Sequence, residues 1–188
     1  MTDYKQSKET NWDDGHRLWP LPNMPWTMKQ TWNDLLFAHF PVNFNVLRKL
    51  VPNIFPLDTY DGVCWVGVVP FHMTDIRLRG LPPIPGTDKF PELNVRTYVT
   101  IDGKPGVYFF SLDATNLLAI KVARTFYHLP YVRANMKVEK QGDMIEYESV
   151  RKSEDARFVA DYRPVSEKYF AEKGSFEEWL VERYCLYT

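Results

Sequence analysis

Hydrophobic and polar residues alternate along residues 91–100, PELNVRTYVT. This period of two predicts a β-strand in which Glu92, Asn94 and Arg96 share one face, and Tyr98 continues the same row. Successive members of the row stand about 6.6 Å apart, because a strand rises about 3.3 Å per residue. The pattern therefore sets an acid, an amide and a guanidinium side by side on one face of a strand.

Most other segments with a regular pattern also predict strands. Residues 63–71 and 107–112 are apolar on both faces, which is typical of strands covered on both sides. The stretch 72–90 contains several prolines and predicts a long loop, of the kind that often forms a lid or a wall of a site. The remaining predicted strands are 27–40, 131–140 paired with 144–152 as a hairpin, 157–165 and 184–188.

Three segments predict helices. The longest is 113–130, with Asp113 or Thr115 as its N-cap. Shorter helices are predicted at 43–52, capped by Asn43 or Asn45, and at 175–180, where Ser175 and Glu178 have the spacing of a capping box. The apolar stripe of the long helix is predicted to consist of Leu118, Val122 and Phe126. Few helices among many strands predict the α+β class, built around a mostly antiparallel sheet.

Composition and charge limit the classes of function. The chain has 188 residues, enough for one domain, and we expect a disordered polar tail over residues 1–15. Its net charge is -1 and it has no basic block, which argues against nucleic-acid binding. No apolar run reaches the ~20 residues of a membrane span, and no secretory signal is visible at the start. Together with two cysteines, Cys64 and Cys185, that form no CxxC pair, these features predict a cytoplasmic protein.

The polar row has two interpretations at this stage. It is either the lining of a cavity or an outer face in solvent on which Glu92 serves as the counter-ion of Arg96. If 91–101 pairs with 107–112, the row has apolar neighbours on the adjacent strand, whichever face it takes. Those neighbours favour a cavity.

Other candidate chemistry is weaker. The four histidines lack the spacing of metal ligands, and no glycine-rich phosphate loop or nucleophile elbow occurs, so we predict neither metal nor cofactor. The default interpretation of His39 is a histidine packed in the core, and a catalytic base is the alternative. Lys121 and Arg124 lie three apart on the long predicted helix, where a solvated face is the default. Lys121 is nevertheless the candidate for a desolvated amine of low pKa, because it is the only lysine inside an otherwise apolar element.

Several strings, in this order and spacing, resemble the YqjF-like family of uncharacterised bacterial proteins. They are LLFAHFPVNFNVLRKLVP, LDTYDGVCWVGVVPFHM, FPELNVRTYVT, GVYFFSLDA and LPYVRANM, and the resemblance covers roughly residues 16–188. That family is similar to acetoacetate decarboxylase at a distance. The resemblance therefore implies a cone-like antiparallel β-barrel with flanking helices and a central cavity.

The same resemblance implies a changed chemistry. Acetoacetate decarboxylase uses a Schiff-base lysine that follows a proline, and here LPYVRANM carries Tyr131 at that position. Glu92 matches a cavity glutamate of the decarboxylase. An arginine in such a cavity favours a carboxylate ligand, because its planar fork matches that group in two hydrogen bonds.

These residues lead to a functional hypothesis. We expect a cavity that binds a small organic acid without Schiff-base decarboxylation, with Arg96 as the anion anchor and Asn94 as an orienting amide. Glu92 would serve as acid or base, and Tyr131 as a proton donor. The alternative is a non-catalytic structural or interaction protein, whose surface would be the Trp-rich segment before residue 33.

The resemblance also bears on domain organisation. Members of the family usually continue past the point where this chain stops, so we expect residues 16–188 to form a single acetoacetate decarboxylase-like domain that is incomplete at its C-terminus. Unpaired backbone groups would then lie along a strand edge near residues 184–188. We expect that edge to be open or, in preference, covered by another subunit of a homo-oligomer.

Overall fold

The structure is a computed structural model that describes residues 15, 17, 18, 20–83 and 85–188. Apart from Gly15, the predicted disordered tail lies outside the described residues. The predicted α+β class, with a mostly antiparallel sheet and few helices, is confirmed over the described part of the chain.

One large sheet dominates the fold. Its strands pair in the order β1-β3-β4-β5-β6-β7-β8, with β2 also beside β3 and β9 also beside β5. All pairs are antiparallel except β5 with β6 and β5 with β9. The described pairings do not join β8 back to β1, so the closed barrel implied by the resemblance is not confirmed. The strands are β1 (Met28–Asn33), β2 (Ala38–Val42), β3 (Cys64–Leu78), β4 (Phe90–Ile101), β5 (Lys104–Ala114), β6 (Tyr131–Gln141), β7 (Met144–Arg151), β8 (Arg157–Tyr162) and β9 (Cys185–Tyr187).

The strand predictions need two corrections. The strand predicted at 63–71 continues to Leu78, because β1 pairs with its second half. Residues 72–78 of the predicted loop at 72–90 therefore belong to β3, and Phe90 belongs to β4. The strand predicted at 27–40 is divided into β1 and β2. Between them the chain turns at Asp34, whose φ of 52° is left-handed.

The helices are α1 (Phe44–Arg48), α2 (Leu117–Tyr127) and α3 (Phe176–Val181). The side chain of Asn43 caps α1, and that of Ser175 caps α3 by accepting a hydrogen bond from the Glu178 N–H. The predicted caps of α2 are wrong. Asp113 still belongs to β5, where it pairs with Leu93, so the helix begins later and Asn116 caps it. None of the described helices is long and apolar enough to cross a membrane.

The orientation of α2 also differs from the prediction. Leu118 and Val122 are 56% and 41% exposed, whereas Ile120 is buried in the main core. Ala119 and Ala123 pack against that core beside Ile120, and their small side chains let the helix approach the sheet closely. The predicted third member of the stripe, Phe126, has a side chain outside the described part of the structure.

Two clusters of buried side chains lie on opposite faces of β4. The smaller one contains Val99 and packs against α1 through Leu47. The larger one, the main core, includes Phe90 and Tyr98 of β4 and is covered by α2 and α3. Since side chains two apart on a strand share a face, the polar row between Phe90 and Tyr98 points into the main core.

Candidate functional site

The polar row of β4 is buried. Glu92, Asn94 and Arg96 are 3%, 1% and 6% exposed. The interpretation of the row as an outer face in solvent is therefore wrong. Whether the row lines a ligand cavity stays a prediction.

The strands on either side give the row apolar neighbours. Asn94 pairs with Val69 of β3 and Leu112 of β5, both of which belong to the main core. Glu92 lies in the same way between Phe71 and Ala114. Polar side chains in such surroundings are costly unless they find partners.

Glu92 finds its partner on β6. The Tyr131 hydroxyl donates a hydrogen bond of 2.6 Å to Glu92 Oε2, and the Tyr147 hydroxyl donates one of 2.8 Å to the Glu92 backbone carbonyl. Burial raises the pKa of Glu92 to about 7, although the Tyr131 hydrogen bond opposes this change. Burial also raises the pKa of Tyr131, which therefore stays a phenol. Glu92 is poised between its acid and its carboxylate near neutral pH.

Arg96 has no such partner. Its Nε forms no hydrogen bond, and none of the ion pairs found among the described residues includes it, so Glu92 is not its counter-ion. Its guanidinium carbon lies 5.2 Å from the centre of the Phe37 ring and 6.0 Å from that of Tyr98. Burial lowers the pKa of Arg96, but an arginine remains charged in proteins. The site therefore contains a buried cation that no described acid neutralises.

Asn94 also has a buried polar atom without a partner. Its Oδ1 is buried and, among the described residues, accepts no hydrogen bond. Buried side-chain oxygens without a partner are uncommon in native proteins. Arg96 and Asn94 thus place an unused donor and an unused acceptor next to each other on one face of β4.

Tyr98 connects the row to His39 on β2. The Tyr98 ring centre lies 6.0 Å from the Arg96 guanidinium carbon, and the Tyr98 oxygen lies 2.5 Å from His39 Nε2. Burial and, to a smaller extent, the charge of Arg96 lower the pKa of His39 to about 4, so His39 is neutral near neutral pH. Gly67 makes room for this contact. A Cβ there would lie 3.2 Å from the Tyr98 oxygen and 3.3 Å from His39 Nε2.

A second buried arginine, just past the end of α3, approaches Tyr98, and the sequence analysis missed it. Arg183 Nη1 lies 2.7 Å from Asp58 Oδ2, and its guanidinium carbon is 4.3 Å from the Trp179 ring centre and 5.2 Å from that of Tyr98. Tyr98 could have been found from the sequence, because it continues the alternating row. Arg183 and Asp58 are 125 residues apart, and no local pattern signals their contact.

The two weaker candidates on α2 lie apart from the row. Lys121 is exposed, so the desolvation that a low-pKa amine requires is missing. Arg124 is exposed as well, but its Nε donates a hydrogen bond of 2.8 Å to the Tyr131 backbone carbonyl. Arg124 therefore helps to hold Tyr131 in place.

We also searched the described residues for surface depressions and for clusters of metal-ligating side chains. The two best-formed depressions of the described surface lie along residues 41–44 and 62–64 and between Arg17, Lys104 and Cys185, and the row lines neither of them. Within the described ranges, no group of three or more His, Cys, Asp or Glu side chains could hold a metal ion.

Comparisons with known proteins place the chain in a family. The family model DUF2071, described as an uncharacterized conserved protein, matches residues 29–188. The chain is 57% identical over 169 residues to the uncharacterized protein YqjF of Bacillus subtilis (strain 168), a match that covers 89% of this chain and 70% of that protein.

Solved structures share the fold at low sequence identity. Acetoacetate decarboxylase from Legionella pneumophila matches with a TM-score of 0.52 and 16% identity, over 76% of this chain and 54% of that chain. The enduracididine biosynthesis enzyme MppR complexed with pyruvate matches with a TM-score of 0.50 and 8% identity, over 69% and 54%. The match thus spans about half of each of those chains and shows the fold alone. The chain belongs to the DUF2071 family of uncharacterized conserved proteins and has an acetoacetate decarboxylase-like fold.

Proposed function

We propose that this protein binds a small organic acid in the core of the sheet, with Arg96 as the anchor for its carboxylate and Asn94 as an orienting amide. One observation carries the proposal: Arg96 is almost fully buried, and no acid among the described residues neutralises it. A buried charge without a partner costs several kcal/mol, which an anionic ligand would offset. The planar fork of arginine suits a carboxylate in particular.

The contrast with neighbouring arginines supports this role. Arg183 is paired with Asp58, and Arg151 of β7 is held by Asp113 at 2.9 Å. The acid partner of each of these two arginines explains why the arginine is buried or half-buried. Arg96 has none within the described residues, so a ligand is the better explanation for its burial.

The other end of the row supplies a proton-transfer group. Glu92 has a pKa of about 7, and Tyr131 donates a hydrogen bond to it. Glu92 can therefore give or accept a proton near neutral pH, as an acid or base acting on the bound ligand would need to. In this proposal Tyr131 sets the position of the Glu92 carboxyl.

Schiff-base decarboxylation is not part of the proposal. A phenol such as Tyr131 cannot form an imine, and Lys121 is exposed on α2. Borohydride treatment in the presence of acetoacetate should leave the mass of the protein unchanged. An adduct, above all one on Lys121, would contradict this part of the proposal.

The structure of MppR complexed with pyruvate gives the proposal a precedent in that protein, since it shows a small organic acid bound to a protein of this fold. In the present chain a ligand would have to pass Phe37. That ring lies over Arg96 and is 37% exposed, in the short connection between β1 and β2. Movement of this connection would open a route to Arg96.

A thermal-shift screen with short carboxylates tests the proposal. At about 100 times its dissociation constant a ligand adds about 2.7 kcal/mol to the free energy of unfolding. The wild type should be stabilised by at least one acid, and Arg96→Met should not respond to it. Arg157→Met is the matched control, because it removes an exposed arginine on β8. If Arg96→Met responds as the wild type does, Arg96 is not the anchor.

An interaction protein remains the second candidate. Met24 and Trp26, in the Trp-rich segment before β1, are 79% and 46% exposed. Such side chains are typical of a contact surface. This candidate predicts that no acid stabilises the protein in the same screen.

A further inference from the structure

We infer that the ligand of the polar row is a monocarboxylic acid that carries a hydroxyl group and is otherwise apolar. The inference rests on the proposed function and specifies the class of acid. It follows from three properties of the site: its charge, its unused acceptor and its walls.

The charge of the site matches one carboxylate. Arg96 and Arg183 are the buried arginines of the described structure, and Asp58 already neutralises Arg183. His39 is neutral, since its pKa is about 4. Glu92 of the same row is paired with Tyr131 and stands about 13 Å from Arg96 along β4, so the positive charge of Arg96 is left beside Asn94. A second carboxylate on the ligand would be buried without a cation, at a cost of several kcal/mol.

The free side of Arg96 determines where the carboxylate lies. The Tyr98 ring lies 6.0 Å from the guanidinium carbon, whereas the buried Nε has no hydrogen-bond partner among the described residues. Tyr98 is itself held by His39 at 2.5 Å. A carboxylate can therefore dock along the Nε edge with two parallel hydrogen bonds. Tyr98 and His39 act as positioning residues that keep this edge available.

The unused acceptor calls for a donor on the ligand. Asn94 Oδ1 is buried, and its cross-strand neighbours Val69 and Leu112 have no side-chain donor to offer. A hydroxyl group on the ligand would supply that donor. An ammonium group would not suit the site, because it would add a second positive charge beside Arg96.

The walls determine the rest of the ligand. Val69 and Leu112 flank Asn94, and Phe109 of β5 lies opposite Arg96. These side chains belong to the main core. A short hydrocarbon body matches these side chains in polarity, whereas further polar groups on the ligand would be buried without partners.

Isothermal titration with acids of one chain length tests the inference. The probes are pentanoate, 2-hydroxypentanoate, 3-hydroxypentanoate and pentanedioate. The wild type should bind the better of the two hydroxy acids about tenfold more tightly than pentanoate, which corresponds to one satisfied buried hydrogen bond. It should bind pentanedioate at least about tenfold more weakly than pentanoate.

The matched variant is Asn94→Leu, which keeps the shape of the side chain and removes its polar atoms. This variant should bind pentanoate and the hydroxy acids equally well, and a urea unfolding curve verifies that it is folded. Should Asn94→Leu not fold, Asn94→Asp replaces it; its negative charge should weaken the binding of all four acids.

The outcomes separate the two claims. Three outcomes would make the inference wrong while the proposed function stands. In the first, pentanoate binds through Arg96 but a hydroxyl group on the acid does not tighten binding. In the others, the hydroxy acids still bind Asn94→Leu more tightly than pentanoate does, or pentanedioate binds as tightly as pentanoate. If none of the acids binds, or if all of them bind Arg96→Met unchanged, both are wrong.

Discussion

A buried arginine without an acid is the feature that most needs an explanation at the scale of single residues. If Arg96 is kept for a ligand, it should contribute nothing to the stability of the empty protein. Arg96→Met should leave the free energy of unfolding unchanged or raise it by up to about 2 kcal/mol, because a hydrophobic side chain replaces an unpaired buried charge. Urea unfolding without ligand measures this difference.

Arg151→Met is the matched control. Arg151 contacts Asp113, which is almost fully buried, and also donates to Ser111. Removing Arg151 should lower the free energy of unfolding by about 3 kcal/mol, because Asp113 would be left buried without its partner. If Arg96→Met costs as much as Arg151→Met, Arg96 has a structural partner and the central claim fails.

Glu92 and His39 should give the stability of the protein a characteristic pH dependence. The pKa of Glu92 rises from 4.5 to about 7 on folding, so the folded state holds a proton that the unfolded chain has lost. Glu92 therefore makes stability fall between about pH 4.5 and pH 7, by roughly 3 kcal/mol in all. The pKa of His39 falls from 6.5 to about 4, so His39 makes stability rise between about pH 4 and pH 6.5.

The two effects oppose each other in the wild type, and single variants should reveal them. Glu92→Gln should become more stable relative to the wild type as pH rises from 4.5 to 7. His39→Gln should become less stable relative to the wild type as pH rises from 4 to 6.5. Thermal unfolding across this range provides the comparison. Parallel pH profiles for all three proteins would show that neither group changes its pKa on folding.

The residues of the row could be predicted from the sequence, but their partners could not. Alternation alone placed Glu92, Asn94 and Arg96 on one face. The choice between an outer face and a buried one needed the neighbouring strands, and the pairing of Glu92 with Tyr131 joins residues 39 apart. Short-range periodicity contains no information on such contacts.

At the scale of elements, the long strand β5 depends on a glycine where β9 joins it. A Cβ at Gly106 would lie 2.5 Å from the Cys185 carbonyl oxygen and from a Tyr187 ring carbon. Gly106→Ala should therefore push β9 away and lower the free energy of unfolding by about 1–3 kcal/mol. Hydrogen exchange should show faster exchange at residues 185–187.

Gly67→Ala is the comparison for this prediction. The atoms nearest to its Cβ would be the ends of two side chains, Tyr98 and His39, at 3.2 and 3.3 Å. Exchange at residues 185–187 should stay as in the wild type, while the His39 ring signals in an NMR spectrum should shift. Unchanged exchange in Gly106→Ala would contradict the pairing of β9 with β5.

Helix and strand types were predictable where a local signal existed, and the errors have physical causes. The caps Asn43 and Ser175 were recognisable because capping chemistry is local. The extension of β3 to Leu78 was not, since it results from pairing with β1, more than 30 residues earlier. The rotation of α2 was missed because its buried side consists of Ala119, Ile120 and Ala123, whereas larger apolar residues lie on its exposed side.

At the scale of the whole molecule, the homo-oligomer expected from the sequence stays a prediction. β9 pairs with β5 on one side, and no other strand of the described structure pairs with it. A second copy could pair along the other side of β9. Light scattering in dilute solution should then give a mass above the 22.2 kDa of one chain. A mass of one chain would contradict the expected oligomer.

The central claim, that Arg96 holds a carboxylate, is tested most directly by the ¹⁵N–¹H NMR signals of the arginine Nε–H groups. The Arg96 signal is identified by its absence from the spectrum of Arg96→Met. On titration with pentanoate it should shift and saturate, because Nε gains a hydrogen-bond partner, while the signal of Arg151 stays in place. The account would be contradicted if pentanoate binds and the Arg96 signal does not move, or if the Arg151 signal shifts in its place.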